Sequence, residues 1–223
     1  MSESAAAEAA FRAPRAADSE LRERQGRDPY AATPTGLPRL ADAMLAAAVL
    51  LLLAPVLLAA MVLIRLESAG SPIYRQRRVG RRGSEFELLK LRTMALGSDP
   101  LGAGTAVGAG DPRVTRVGAV LRRTSLDELP NLLNVVRGEM AIVGPRPTIP
   151  AHIPYFDPHQ HRRHAVRPGM TGWAQVNGRV AVSWGERIEL DNWYVEHRSL
   201  GLDLRILART VRQLATGEGL DPG

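Results

Sequence analysis

From Ala43 to Ile64 the chain carries no charged residue. A run of this length matches the about 20 apolar residues that a bilayer-crossing helix takes. Pro55 sits in the middle, where a proline removes one helix hydrogen bond and crowds the preceding turn. Both flanks are positive: Arg22, Arg24, Arg27 and Arg39 come before the run, and Arg65, Arg75, Arg77, Arg78, Arg81 and Arg82 come after it. Positive flanks stay on the cytoplasmic side. A bent helix that enters and leaves one leaflet satisfies both the proline and the flanks, while an ordinary span with a tolerated proline is the alternative.

The rest of the pattern is mixed. Pro72-Ile73-Tyr74 and Phe86-Glu87-Leu88-Leu89 are short apolar runs split at Gly80 and Gly83, which predicts strands within 72–94. Residues 95–112 are rich in Gly and Ala and read as a loop. In 113–123, Val114, Val117, Val120 and Leu121 oppose Arg113, Arg116, Arg122 and Arg123, a basic amphipathic helix suited to a membrane surface or to packing on a core. Residues 127–137 predict a helix stopped by Gly138. Leu202, Ile206, Val211 and Leu214 alternate with Arg205, Arg209 and Arg212 in a second basic helix. The expected fold is α+β and mostly helical. It has a disordered tail over 1–38, a re-entrant membrane helix over 39–66, a small cytosolic domain with interfacial amphipathic helices over 67–216, and a tail over 217–223. The first tail, rich in Ala, Arg, Glu and Pro, lacks the form of a signal peptide.

Composition sharpens this picture. Hydrophobic residues make up 45% of the 223 and aromatics only 4%, so the core must rest on Ala, Leu and Val. The net charge of +6 favours polyanionic partners: phosphates, an anionic membrane face or nucleic acid. Nucleic acid is set aside, because no nucleic-acid-binding motif occurs and the arginines surround an apolar segment. Cysteine is absent, which excludes disulfides and thiolate metal sites. Lys90 is the only lysine among many arginines. A compact ammonium differs from a guanidinium mainly at phosphate and catalytic sites, although codon bias produces the same pattern.

Four segments carry candidate chemistry. Thr124-Ser125-Leu126-Asp127-Glu128-Leu129-Pro130 places adjacent carboxylates at a helix start. Ser125 and Glu128 have capping-box spacing, and Asp127 suits an N-cap. The same carboxylates, ionised at a positive helix end, suit Mg²⁺ or attack on phosphorus. Val143-Gly144-Pro145-Arg146-Pro147 pins one guanidinium between two prolines, either as a rigid turn or to meet a phosphate in fixed geometry. In Lys90-Leu91-Arg92, alternation puts two cations on one strand face, a diphosphate clamp or a solvated face. The turn-rich stretch from Arg167 to Arg179 includes Gln175 and is followed by Trp184, Arg187 and Asp191, the last two spaced to pair along a helix. His152, His159, His161 and His164 cluster without metal-ligand spacing.

Taken in order, these segments resemble the bacterial sugar transferase family, the monotopic phosphoglycosyl transferases. The resemblance covers about 39–216. It rests on the apolar run with its proline, Arg75-Gln76-Arg77-Arg78-Val79-Gly80, Lys90-Leu91-Arg92-Thr93-Met94 and Asp111-Pro112-Arg113-Val114-Thr115. It continues through the Asp127-Glu128 segment, Asn134-Val135, Gly138-Glu139-Met140, the Pro145-Arg146-Pro147 turn, Arg167-Pro168-Gly169, Thr171-Gly172 and the stretch from Trp184 to Tyr194. Two positions depart from it: Ala54 stands where the family usually has Ser, and Asn131 where it usually has Gln. The larger members' extra domains have no counterpart, so the chain resembles the minimal form.

The resemblance implies an enzyme of the bacterial cytoplasmic membrane that passes a sugar phosphate from a UDP-sugar to polyprenyl phosphate. It implies Asp127 as nucleophile, Glu128 as base or metal partner, and Mg²⁺ on both. Lys90, Arg92, Arg146, Pro145, Pro147, Arg167, Gln175 and Asp191 would bind substrate, and Pro55 would shape the membrane helix. Membrane lipid is a further partner, and a homodimer is open. Two rivals remain: a tethered binder of anionic lipid, in which Asp127 is replaceable, and a polyprenyl diphosphate phosphatase, which would release phosphate in place of UMP.

Overall fold

The computed structural model describes residues 28–31, 35–98, 111–178 and 182–216. Helix α1 (Arg39–Glu67) continues through Pro55 and is long and apolar enough to cross a membrane. Its burial is concentrated at the two ends. Asp42 and Ala46 are buried near the start, Ala60 and Ile64 near the finish, and no residue between Ala46 and Ala60 is buried. Leu51, Leu52, Val56 and Leu58 are exposed there.

The expected strands form a hairpin. β1 (Ile73–Val79) pairs antiparallel with β2 (Glu85–Leu91), with Tyr74 opposite Lys90 and Arg78 opposite Phe86. The connecting turn places Arg82 and Gly83 at positive φ. Of the expected 95–112 loop, residues 99–110 lie outside the described residues.

α2 (Arg116–Arg123) begins later than its apolar pattern suggests, because Val114 is taken up in a bridge to Met94. Its start is doubly capped. The Thr115 hydroxyl accepts from the Gly118 amide, and the Glu67 carboxylate, from the last turn of α1, accepts from the amides of Arg116 and Val117. α3 (Asn131–Arg137) also starts later than expected, after a separate single turn at Leu126–Glu128. It stops at Gly138, whose φ of 82° is the left-handed cap that glycine tolerates.

β3 (Ala141–Val143) and β4 (Gly169–Thr171) pair in parallel, with the short α4 (Pro158–His161) between them in sequence. A Cβ on Gly169 would strike the Gly144 backbone, so the strands approach this closely only at glycine. The stretch read as turn-rich holds β4 and α5 (Trp173–Asn177), and α6 (Trp184–His197) and α7 (Leu200–Thr216) follow.

Three apolar clusters hold these pieces, each burying surface at roughly 25 cal/mol per Å². One joins Val143, Val166, Tyr194, Val195, Leu202 and Ile206. The other two each take residues from α1: Ala46 packs with Leu88, Leu132, Val135 and Met140, and Ala60 and Ile64 pack with Leu91 and Leu121. Residues 28–31 and 35–38, read from sequence as part of a tail, touch the domain. Arg162 donates to the carbonyls of Pro29 and Ala31, and the Leu37 amide donates to Asp203 at 2.7 Å. On α7 the apolar residues divide: Leu202 and Ile206 are buried, while Leu204, Val211 and Leu214 are exposed.

Candidate active site

The carboxylate pair is presented by a break between two helices. α2 ends at Arg123, and Ser125 turns the chain with a φ of 56°, a conformation uncommon for any residue but glycine. The single turn Leu126–Glu128 follows, and Pro130 precedes α3. The capping-box reading fails here. The Ser125 hydroxyl makes no cap hydrogen bond, and the Glu128 side chain points elsewhere.

Glu128 Oε1 accepts from Lys90 Nζ at 2.7 Å and from Arg146 Nη2 at 2.7 Å. These partners lie 38 and 18 residues away, brought in by β2 and by the turn after β3. Burial pushes the Glu128 carboxyl up, but the charges of Arg146 and Lys90 and their hydrogen bonds outweigh it, so its pKa falls well below the usual carboxylate range. Arg146 is raised in return, chiefly by Glu128.

Asp127 behaves oppositely. Burial pushes its carboxyl up to about 6, Glu128 adds to this, and Lys90, Arg122 and Arg146 oppose it. Among the described residues its carboxylate has no hydrogen-bond partner. Neighbouring carboxyls pushed apart in this way are a mark of functional sites.

Arg78 joins Lys90, Glu128, Asn131 and Arg146 around one narrow cleft. Its guanidinium donates to Gln76 Oε1 and to the Pro147 carbonyl. Burial first, and then the nearby Arg146, lower it to about 10. Sequence reading missed Arg78 as a site residue. It is one arginine in a basic run, and only the strand register separates it from Arg75 and Arg77, which pair with Glu87 and Glu85 at the surface.

Pro145 and Pro147 are buried on either side of the exposed Arg146. Other expected site residues are placed apart from this group. Arg92 is buried and donates to the Ser68 and Ala69 carbonyls just past α1, at 2.8 and 2.6 Å. Arg167 donates to Asp42 of α1 at 3.0 Å and to the Met140 carbonyl. Asp191 makes its hydrogen bond with Arg163, at 2.6 Å, and not with Arg187 four residues before it; Arg187 only adds nearby charge. Both amide atoms of Gln175 on α5 are buried, and they have no partner among the described residues. Of the histidine cluster, His152, His161 and His164 pack with aromatic rings while His159 meets Glu189 at 2.8 Å; His164 stacks on Phe156, and burial first, then Arg163, lowers it to about 3.

Mg²⁺ binds through one or two carboxylates, with substrate phosphates and water completing the shell. The pair fits that demand. Lys90 and Arg146 both occupy Glu128 Oε1, which leaves Oε2 and the Asp127 oxygens as acceptors. Asp127 is thus an unbonded carboxylate under the charges of Lys90, Arg122 and Arg146, next to a cleft lined by Lys90, Arg146 and Arg78, and cations so arranged can stabilise a phosphoryl centre.

The family model described as bacterial sugar transferase matches residues 34–217. The chain is 43% identical over 185 residues to the uncharacterized sugar transferase EpsL of Bacillus subtilis, an overlap of 82% of this chain and 90% of that protein. It is 45% identical over 186 residues to the UDP-glucose:undecaprenyl-phosphate glucose-1-phosphate transferase of Caulobacter vibrioides, covering 80% and 69% of the two. The exopolysaccharide production protein ExoY of Rhizobium meliloti is 39% identical over 192 residues, covering 80% and 85%.

Proposed function

Because the chain belongs to the bacterial sugar transferase family, and is therefore an enzyme of the transferase class, we propose that it moves a sugar-1-phosphate from a UDP-sugar to undecaprenyl phosphate at the cytoplasmic face of the membrane, as a first step of glycan assembly. The observation that carries this reading is the divided carboxylate pair: Asp127 unbonded and raised, Glu128 clamped by Lys90 and Arg146.

The chemistry follows from that division. An Asp127 oxygen attacks the sugar-bearing phosphorus of the donor. The bond from that phosphorus to the bridging oxygen breaks, and UMP leaves with the oxygen. A phosphate oxygen of the carrier then attacks the same phosphorus, the bond to Asp127 breaks, and the carboxylate is restored. Lys90, Arg146 and Arg78 stabilise charge on the diphosphate and hold it in line. Glu128, held ionised by two cations, is a poor proton acceptor, so its role is to orient those cations and to serve as a metal ligand. When bound by Asp127 and Glu128, Mg²⁺ would supply neutralisation of the diphosphate charge.

The membrane arrangement has its own support. The Asp42–Ala46 and Ala60–Ile64 ends of α1 both pack on one domain, while the middle around Pro55 is uncovered. A helix that crosses a bilayer puts its ends on opposite sides. A re-entrant helix returns both ends to the catalytic domain, and the exposed apolar residues of α7 would rest on the same face.

The test is transfer itself. Purified protein in detergent is given UDP-sugars labelled in the sugar, with undecaprenyl phosphate and Mg²⁺. Label entering the lipid phase with matching UMP supports the reading. Free inorganic phosphate from a polyprenyl diphosphate, without sugar transfer, would support the phosphatase reading.

A further inference from the structure

We infer that Arg163 is the positioning residue for Arg146, and that Asp191 acts by fixing Arg163 and not by touching substrate. The turn that carries Arg146 is anchored at every carbonyl. Pro145 O accepts from the Gly169 amide at 2.9 Å, Pro147 O from Arg78 at 3.2 Å, and Thr148 O from the Val79 amide at 2.8 Å. The remaining carbonyl, that of Arg146 itself, accepts from Arg163 Nη2 at 2.9 Å. The other nitrogen of the same fork bonds the Thr148 hydroxyl. One guanidinium therefore grips both Arg146 and the residue two positions beyond.

Arg163 is itself held. Its Nη2 donates to Asp191 Oδ2 at 2.6 Å, and the two side chains are 2% and 1% exposed. The Trp184 ring lies 5.6 Å from its guanidinium carbon. A pair this dry gives little net stability over an apolar replacement, but loss of one partner leaves a buried charge. Its geometric consequence is specific: it fixes the backbone from which the exposed Arg146 side chain reaches Glu128. A fork with set directions suits this, and an ammonium does not reproduce it.

The kinetic arm of the test rests on the transferase reading. Arg163→Lys should lower donor kcat/KM roughly 10- to 100-fold, the scale of a misplacement near 1 Å. Thr148→Val, which removes one anchor from a buried site, should cost roughly two- to tenfold. In an Arg146→Ala background each should change the rate by less than about twofold, because residues that act through one another are not additive. Equal losses in both backgrounds would overturn the inference, as would full activity in a folded Arg163→Lys. If Arg163→Lys does not fold, Thr148→Val decides by the same comparison. A structure of whichever variant folds forms the second arm. Arg146 beyond hydrogen-bond distance of Glu128 supports the positioning role, and an unchanged contact refutes it. Should wild type transfer no sugar phosphate, the transferase reading fails, and this structural arm still decides the role of Arg163.

Discussion

At the scale of single residues, the site separates two neighbouring carboxyls by giving the cations to one of them. Asp127 keeps a raised pKa of about 6 against an ordinary 3.8. A carboxyl raised in the folded state binds its proton more tightly there than when unfolded, so stability from this group is full below about pH 4 and falls as pH rises to 6. Asp127→Asn lacks that loss. Without divalent ions, the variant should match wild type in melting near pH 4 and exceed it above pH 6, by at most about 3 kcal/mol. Equal melting curves at both pH values would contradict the raised carboxyl of Asp127. Such a carboxylate, costly to the fold, is expected where activity requires it. Sequence reading found Asp127 and Glu128 as an adjacent pair, and Lys90 and Arg146 each on its own, through residue type, rigid flanks and the family resemblance. It could not show that three of them meet on one oxygen, because the contacts span a hairpin and a parallel strand pair. The i,i+4 rule likewise paired Asp191 with Arg187, and a partner 28 residues away took the hydrogen bond instead.

At the scale of elements, α1 is tied to the domain by polar contacts as well as apolar ones. Asp42 is fully buried, bonded to Arg167 and to the Ile142 amide. Asp42→Asn should destabilise the protein by about 3–5 kcal/mol, since Arg167 loses its ion partner, as read by thermal melting in detergent. At the other end, Glu67 caps α2, the helix that leads directly to the carboxylate turn. Glu67→Ala should cost about 1 kcal/mol and speed amide exchange at Arg116 and Val117, with Thr115 still capping. Unchanged exchange at those amides would mean that the cap does not form in solution. Periodicity located the hairpin and most helices. It placed the starts of α2 and α3 too early, because apolar spacing does not register a bridge at Val114 or a left-handed Ser125.

At the scale of the whole molecule, both ends of a helix long and apolar enough to cross a membrane pack on the residues that carry the Asp127–Glu128 pair. The absence of cysteine makes topology directly measurable. Leu40→Cys and Leu66→Cys, at exposed positions near the two ends of α1, should both resist an impermeant maleimide in intact cells and react once the membrane is opened. Reaction of one of them in intact cells would show a span. The most direct test of the proposed chemistry is the mass of the intact protein after mixing with a UDP-sugar and Mg²⁺ in the absence of polyprenyl phosphate. The expected result is an added sugar phosphate on the peptide containing Asp127, with one UMP released per protein. Adding undecaprenyl phosphate should remove it, and Asp127→Asn should show neither adduct nor UMP. Transfer to lipid that proceeds undiminished in Asp127→Asn would contradict the covalent role of Asp127 and reduce it to a half-buried carboxyl beside the true site.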